Sequence, residues 1–240
     1  MNMAIGVVDL GRRGYHDVLV LQRALRLARL DGRLDADLLL LVEHDPVYTL
    51  GRGTHESSLP FPPDTLRARG ADVVEIERGG DVTWHGPGQL VGYPILDLQR
   101  HRADLHWYLR TLERSLIDAL GRLGIDAGTI AGKTGVWVGG RKIASIGVHV
   151  KQWITLHGFA LNVDPDLSWF DLIIPCGIHG VEMTSIRREL GSDPATGDLA
   201  SQSRDAMIAG FAAAFARDID PWPAARLDPV VGPVAAGESR

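Results

Sequence analysis

The chain has 240 residues, 45% apolar and 23% charged, with a formal net charge of −5. It is long enough for one well-buried core, its composition is that of a soluble globular protein, and its acidic balance argues against a general nucleic-acid binder. No run of eighteen apolar residues is present to span a membrane, the first ten residues lack the basic start and apolar stretch of a signal peptide, and one cysteine excludes an internal disulfide framework; a reducing cytoplasm is the expected location.

In chain order, residues 4–10 read as a first strand. From 15 to 30, Val18, Leu21, Leu25 and Ala28 fall on one helical face, with Gly32 just beyond. The run from Leu38 to Val42 suits a central strand buried on both faces. His44-Asp45-Pro46 makes a turn, 47–50 is extended, and Gly51-Arg52-Gly53 breaks it. Residues 57–63 are a loop, 72–77 alternate as a strand, and 90–98 form another after a Gly/Pro-rich bend. The longest helix signal covers 103–123, where Leu105, Leu109, Leu112, Leu116, Leu120 and Leu123 step by three and four before Gly124. Residues 135–138 and 142–150 read as a hairpin around Gly139-Gly140, and 153–163 continues as a strand. The pattern is irregular after Pro175-Cys176-Gly177 until a last helix at 205–217, with Ile208, Phe211, Ala212 and Phe215 on one face. From Pro221 the chain has little apolar bulk and is expected to be a poorly ordered tail. The order predicts one mixed α+β domain over 1–220 and a tail over 221–240.

Only three of the 25 basic residues are lysines: Lys133, Lys142 and Lys151. Arginine cannot serve as an acid or base near neutral pH, so a lysine kept in an arginine-rich chain is a candidate for chemistry, chance clustering being the plain alternative. Three segments concentrate the reactive residue types. The first is Arg78 to Gln89, RGGDVTWHGPGQ. Its glycines and proline alone read as a bulge and turn. Arg78, His85 and Gln89 shift the reading toward a loop whose backbone N–H groups approach a ligand.

In the second segment, Gly140 to Gly147, alternation puts Lys142, Ala144, Ile146 and Val148 on one strand face. Ile143, Ser145, Gly147 and His149 take the other. Lys142 is then either a snorkelling edge residue or a partly desolvated acid/base. The third segment is 153–163, followed by an apolar run ending Pro175-Cys176-Gly177. By default a lone cysteine is a small buried hydrophobe; a nucleophile is the alternative. His85, His149 and His157 lack metal-ligand spacing, and His101 and His106, at a helix start, read as solvated.

Taken together, RGGDVTWHGPGQ (78–89), GGRKIASIG (139–147), FALNV (159–163) after His157-Gly158, and IPCGI (174–178) resemble the lipoyl(octanoyl) transferase family in residues, order and spacing. The likeness runs from the first strand to Arg187. It implies the catalytic-domain fold of biotin- and lipoate-protein ligases, a mixed sheet flanked by helices. It also implies transfer of octanoyl from octanoyl-acyl carrier protein to a lysine of lipoyl domains in 2-oxoacid dehydrogenase complexes or of the glycine-cleavage H protein. No cofactor, metal, nucleic acid or membrane is implied.

By the same resemblance Cys176 is the acyl-thioester nucleophile and Lys142 its acid/base partner. Arg78, Gly79, Gly80, Asp81, Val82, Thr83, Trp84 and His85 would line the acyl pocket with Ser145, Ile146, Gly147, Gly158, Phe159 and Ala160. An apolar groove from Ile143, Ile146, Phe159 and Leu161 is expected to hold the chain, and Arg52, Arg78 and Arg141 to meet an acidic carrier. Two rivals stand beside this reading. One is an ATP-dependent lipoate or biotin ligase, which needs no cysteine; the other is a non-catalytic module that binds acyl carriers.

Overall fold

A computed structural model describes residues 4–174, 181–191 and 198–231. The first third of the chain lays down β1 (Ile5–Arg13), α1 (Tyr15–Leu30), β2 (Asp37–His44), β3 (Val47–Leu50), α2 (Pro63–Ala68) and β4 (Asp72–Glu75). The middle adds β5 (Thr83–His85), β6 (Gln89–Ile95), α3 (Leu105–Arg122), β7 (Gly128–Ile130), β8 (Lys133–Val138), β9 (Arg141–Lys151) and β10 (Ile154–Asn162). Beyond these come α4 (Ile186–Leu190), α5 (Leu199–Phe215), β11 (Ile219–Pro221) and α6 (Asp228–Val231). Among the described residues, one mixed sheet has the strand order β11-β1-β2-β6-β10-β9-β8-β7, and a smaller one the order β4-β3-β5. The parallel pairs are β11–β1, β1–β2 and β3–β4.

Leu38, Leu39, Leu40 and Leu41 are fully buried because helices cover both faces of β2. On one face, Leu112, Leu116 and Leu120 of α3 pack with Phe211 and Phe215 of α5 over Ile143, Ala144 and Leu161. Gly210 brings the two helices together, since a Cβ there would lie 2.4 Å from the Ser115 carbonyl oxygen. On the other face, Val18, Leu21, Leu25 and Ala28 of α1 cover Leu38, Leu40 and Tyr93. The small sheet has its own cluster, built from Tyr48, Trp84 and Phe170. No helix among the described residues is long and apolar enough to cross a membrane.

Three sequence expectations are corrected here. Helix α5 starts at Leu199, six residues before the predicted start, and is capped by Asp198, whose side chain accepts from Ser201 N–H. Its first turns carry Ser201, Gln202 and Ser203, so no apolar stripe marks them. The segment from Pro221 is ordered through Val231. Ile219 to Pro221 pair with the open edge of β1, Trp222 N–H donates to Val7 O at 2.8 Å, and Leu227 is buried against α1. Backbone pairing supplies what apolar composition does not; residues 232–240 lie outside the described residues. Finally, His101 is not solvated, because its Nε2 lies 2.7 Å from Asp37 Oδ2 and its side chain is buried. Burial pushes the Asp37 carboxyl up, but hydrogen bonds from His101, the Asp97 N–H and Arg29 hold it below the usual range.

Candidate active site

Strands β6, β9 and β10, the segment 78–85 and Tyr15 of α1 bound a narrow cavity of about 60 Å³, room for roughly four to six waters. The loop starts at Arg78, which is buried and donates to Thr49 O at 2.6 Å and Thr49 Oγ1 at 2.9 Å. Arg52 and Gly53 N–H groups donate to the Arg78 and Gly80 carbonyls, each at 3.0 Å. Gly51 permits this approach, since a Cβ there would stand 2.3 Å from Gly80 O. Gly79 N–H donates to Val148 O at 2.9 Å, which fastens the loop across β9. The loop is therefore sewn down at both edges.

Of the expected pocket residues, Arg78, Gly80, Asp81, Val82, Thr83, His85, Ser145, Ile146, Gly147, Gly158, Phe159 and Ala160 line this cavity with Lys142. Gly79 and Trp84 do not. Gly79 spends its N–H on β9, and Trp84 points the other way because side chains alternate along β5. The Trp84 ring stacks on Trp169 and meets Phe170 edge-on in the small sheet's cluster. Cys176 lies outside the described residues. Of the residues expected in an apolar groove, Ile146 and Phe159 line the cavity, whereas Ile143 and Leu161 pack under α3 and α5.

The reason lies in β9. Trp137 of β8 pairs with Lys142 while Val136 pairs with Ala144, so Ile143 is an extra residue in a β-bulge. Ile143 and Ala144 both turn to the helices, and Lys142 is left on the side of Ser145 and Gly147. Strict alternation would have put Lys142 with Ala144 and Ile146. Lys142 is 3% exposed, and its Nζ lies 5.4 Å from the Trp137 ring centre. Gly135 leaves the groove for its stem, because a Cβ there would come within 2.8 Å of Lys142 Cε. Where β10 stops pairing at Leu161–Ala144, residues 182–184 take over beside Lys142. Lys142 N–H donates to Glu182 O at 2.8 Å, and Thr184 N–H donates to Lys142 O at 2.9 Å.

Sequence reading missed Tyr15, Val91, Tyr93 and His157, which also line the cavity. The period of two in β6, which sets Val91 and Tyr93 on one face, was the available signal. His157 has a left-handed backbone with φ of 59°, fixed by its N–H donating to Gln22 Oε1 at 3.0 Å. Its ring nitrogens have no hydrogen-bond partner among the described residues; Glu77 Oε2 stands 3.8 Å away. Of the expected carrier-binding arginines, Arg78 is buried and bonded to Thr49, and Arg141 makes a two-oxygen pair with Glu189 at 2.9–3.0 Å.

Behind the cavity, His44 Nε2 lies 2.8 Å from Tyr93 OH, and Tyr15 stacks on His85. Burial pushes His44 down to about 4 and His85 down to about 3. Both rings stay neutral in the fold while the unfolded chain protonates them near 6.5. Stability present above pH 6.5 is therefore lost as pH falls toward 4 and then 3. Between pH 7 and pH 5 the two rings together are expected to cost about 2–4 kcal/mol. Urea unfolding at the two pH values checks this; equal midpoints would refute it.

Residues 14–211 match the family model of the lipoyl protein ligase A/B catalytic domain. Among curated relatives, the octanoyltransferase of Geobacter sulfurreducens is 54% identical over 185 residues, covering 77% of this chain and 75% of its own. That of Synechococcus elongatus is 47% identical, covering 91% and 90%. Among solved structures, lipoate-protein ligase A bound with ATP superposes with a TM-score of 0.75 at 17% identity, covering 96% of this chain and 92% of its own. A bi-partite lipoate protein ligase from Thermoplasma acidophilum gives 0.73 at 16%, covering 98% and 99%. The structural neighbours speak for the fold, the mixed sheet with helices on both faces. With a family match over most of its length and relatives near half identity, the chain belongs to the octanoyltransferases, acyltransferases built on the lipoyl protein ligase A/B catalytic domain.

Proposed function

We propose that this chain moves an octanoyl group from octanoyl-acyl carrier protein to a lysine of a lipoyl domain, of a 2-oxoacid dehydrogenase complex or the glycine-cleavage H protein. Cys176 would hold the group as a thioester and Lys142 would manage the protons, in a cytoplasmic setting that keeps the thiol reduced. The observation that carries this is a buried lysine in a narrow, largely apolar slot, flanked by both described ends of the segment that bears the only thiol. On one side Ile174 N–H donates to Ser58 O at 2.9 Å, and the Ser58 hydroxyl donates to the cavity residue Asp81 at 2.5 Å. On the other, Glu182 holds Lys142 itself.

The chemistry balances with these groups alone. The Cys176 thiolate attacks the octanoyl thioester carbon, and the tetrahedral oxyanion expels the carrier's thiolate, which takes a proton from the Lys142 ammonium. The neutral acceptor amine then attacks the Cys176 thioester. Lys142, now neutral, accepts the amine's proton as the sulfur leaves. Thioester plus amine becomes amide plus thiol, a downhill exchange that needs no nucleotide. The seven carbons beyond the carbonyl gain at most about 0.8 kcal/mol each on burial.

Intact-mass measurement after mixing with octanoyl-carrier protein tests the proposal. One octanoyl adduct should form on this chain and vanish when lipoyl domain is added. Acceptor modification only with free octanoate and ATP would mean a ligase, and tight carrier binding without an adduct would mean a binding module.

A further inference from the structure

We infer that Gln89 and Asn162 are positioning residues that set where Lys142 stands, through a one-way chain of buried hydrogen bonds from the cavity to the Lys142 backbone. This rests on the cysteine–lysine reading above. Gln89 Nε2 donates to Asn162 Oδ1 at 2.9 Å and toward Trp84 O at 3.3 Å, so Gln89 Oε1 is the atom that faces His85 Nδ1 at 3.1 Å. A carboxamide oxygen only accepts, which places the imidazole proton on Nδ1. Asn162 Nδ2 in turn donates to Thr184 O at 2.9 Å, and Thr184 N–H donates to Lys142 O at 2.9 Å. Every donor points the same way, from His85 to Lys142. All the side chains involved are buried: His85 is 7% exposed, Gln89 2%, Asn162 1% and Thr184 0%.

The direction matters because an amide has two unlike ends of nearly equal shape. Gln89 and the Thr184 carbonyl both select the Asn162 orientation with its NH₂ toward Thr184; without the Gln89 donor, Asn162 Oδ1 is left buried and unsatisfied and only one of the two bonds still holds the amide. Residues 182–184 stand where β10 no longer reaches, so the Asn162 bond is their side-chain link to that strand. If they move, Lys142 moves, since its N–H and C=O are both bonded to them. A buried carbonyl left without its donor is penalised by lost hydration, which favours movement of so short a segment. Among the described residues, the charged and titratable groups near Lys142 are Arg78, Asp81, His85, His157, Tyr15 and Tyr93 around the cavity, Lys133 on the same indole, and Glu113, which accepts from Gly135 N–H. The Arg141–Glu189 and Arg188–Glu182 pairs lie on the adjoining segments.

The test uses the full chain and its single cysteine. The pH at which iodoacetamide labelling of Cys176 is half-maximal reports how strongly a nearby ammonium favours the thiolate. Lys142→Ala should raise that midpoint. Gln89→Met, which keeps the length but cannot donate, and Asn162→Ser, which is too short to reach Thr184, should each raise it by about half a unit or more. Both should lower kcat about tenfold with the donor KM within about threefold. Gln89→Met combined with Lys142→Ala should match Lys142→Ala alone. A midpoint raised by Lys142→Ala but untouched by both Gln89→Met and Asn162→Ser would overturn the positioning role. A midpoint that Lys142→Ala leaves in place would overturn the cysteine–lysine reading and this inference together.

Discussion

Cys176→Ser is expected to reduce octanoyl transfer by about three orders of magnitude or more, with no octanoyl adduct on the chain. A serine hydroxyl is almost wholly protonated at neutral pH, and Lys142 would have to be a far stronger base to activate it. The chain holds no second thiol that could substitute. Carrier binding should survive, so titration of octanoyl-carrier protein into the variant separates lost chemistry from lost recognition. Transfer within tenfold of the parent would end the covalent route and favour direct attack of the acceptor amine on the carrier-bound thioester.

Lys142→Arg should split the two half-reactions. Arginine keeps the positive charge that favours a thiolate, so adduct formation should persist at a reduced rate. It cannot take a proton from the acceptor amine near neutral pH, and the second half should slow by about a hundredfold or more. The octanoyl adduct would then accumulate, which intact mass reads directly. The larger guanidinium also meets a tight site, with Gly135 shaped to the lysine stem and Trp137 over its amine. Lys151→Arg, exposed at the end of β9, is the control and should leave both halves unchanged. Equal slowing of both halves would reduce Lys142 to an electrostatic neighbour of the thiol.

The elements most legible from sequence were those whose apolar period matched one buried face. Helix α1 falls where Val18, Leu21, Leu25 and Ala28 placed it, and β2 where its leucine run did. The ends of α5 and the last strand were not legible, for different reasons. A polar first turn hides the start of α5, and β11 joins the sheet by backbone pairing that carries no side-chain signature. The pocket residues were found through motif resemblance, which groups neighbours in sequence and so swept in Trp84 with Thr83 and His85. Tyr15 and Tyr93 come from separate elements and meet only in the folded sheet, so no local pattern could join them. The relay through Gln89 and Asn162 was hidden likewise, since its members lie 73 residues apart.

The extra residue at Ile143 gives β9 a spacing rule of its own. Lys142, Ser145 and Gly147 face one cavity at steps of three and then two, where a regular strand would need two and two. A grafted copy of this site on another sheet that preserves the alternation will bury its lysine among leucines. One that preserves the three-then-two interval will keep the amine and the pocket wall on a common front. The same interval lets a single strand answer to two helices behind it and one cavity before it without either set of contacts dictating the other's residues.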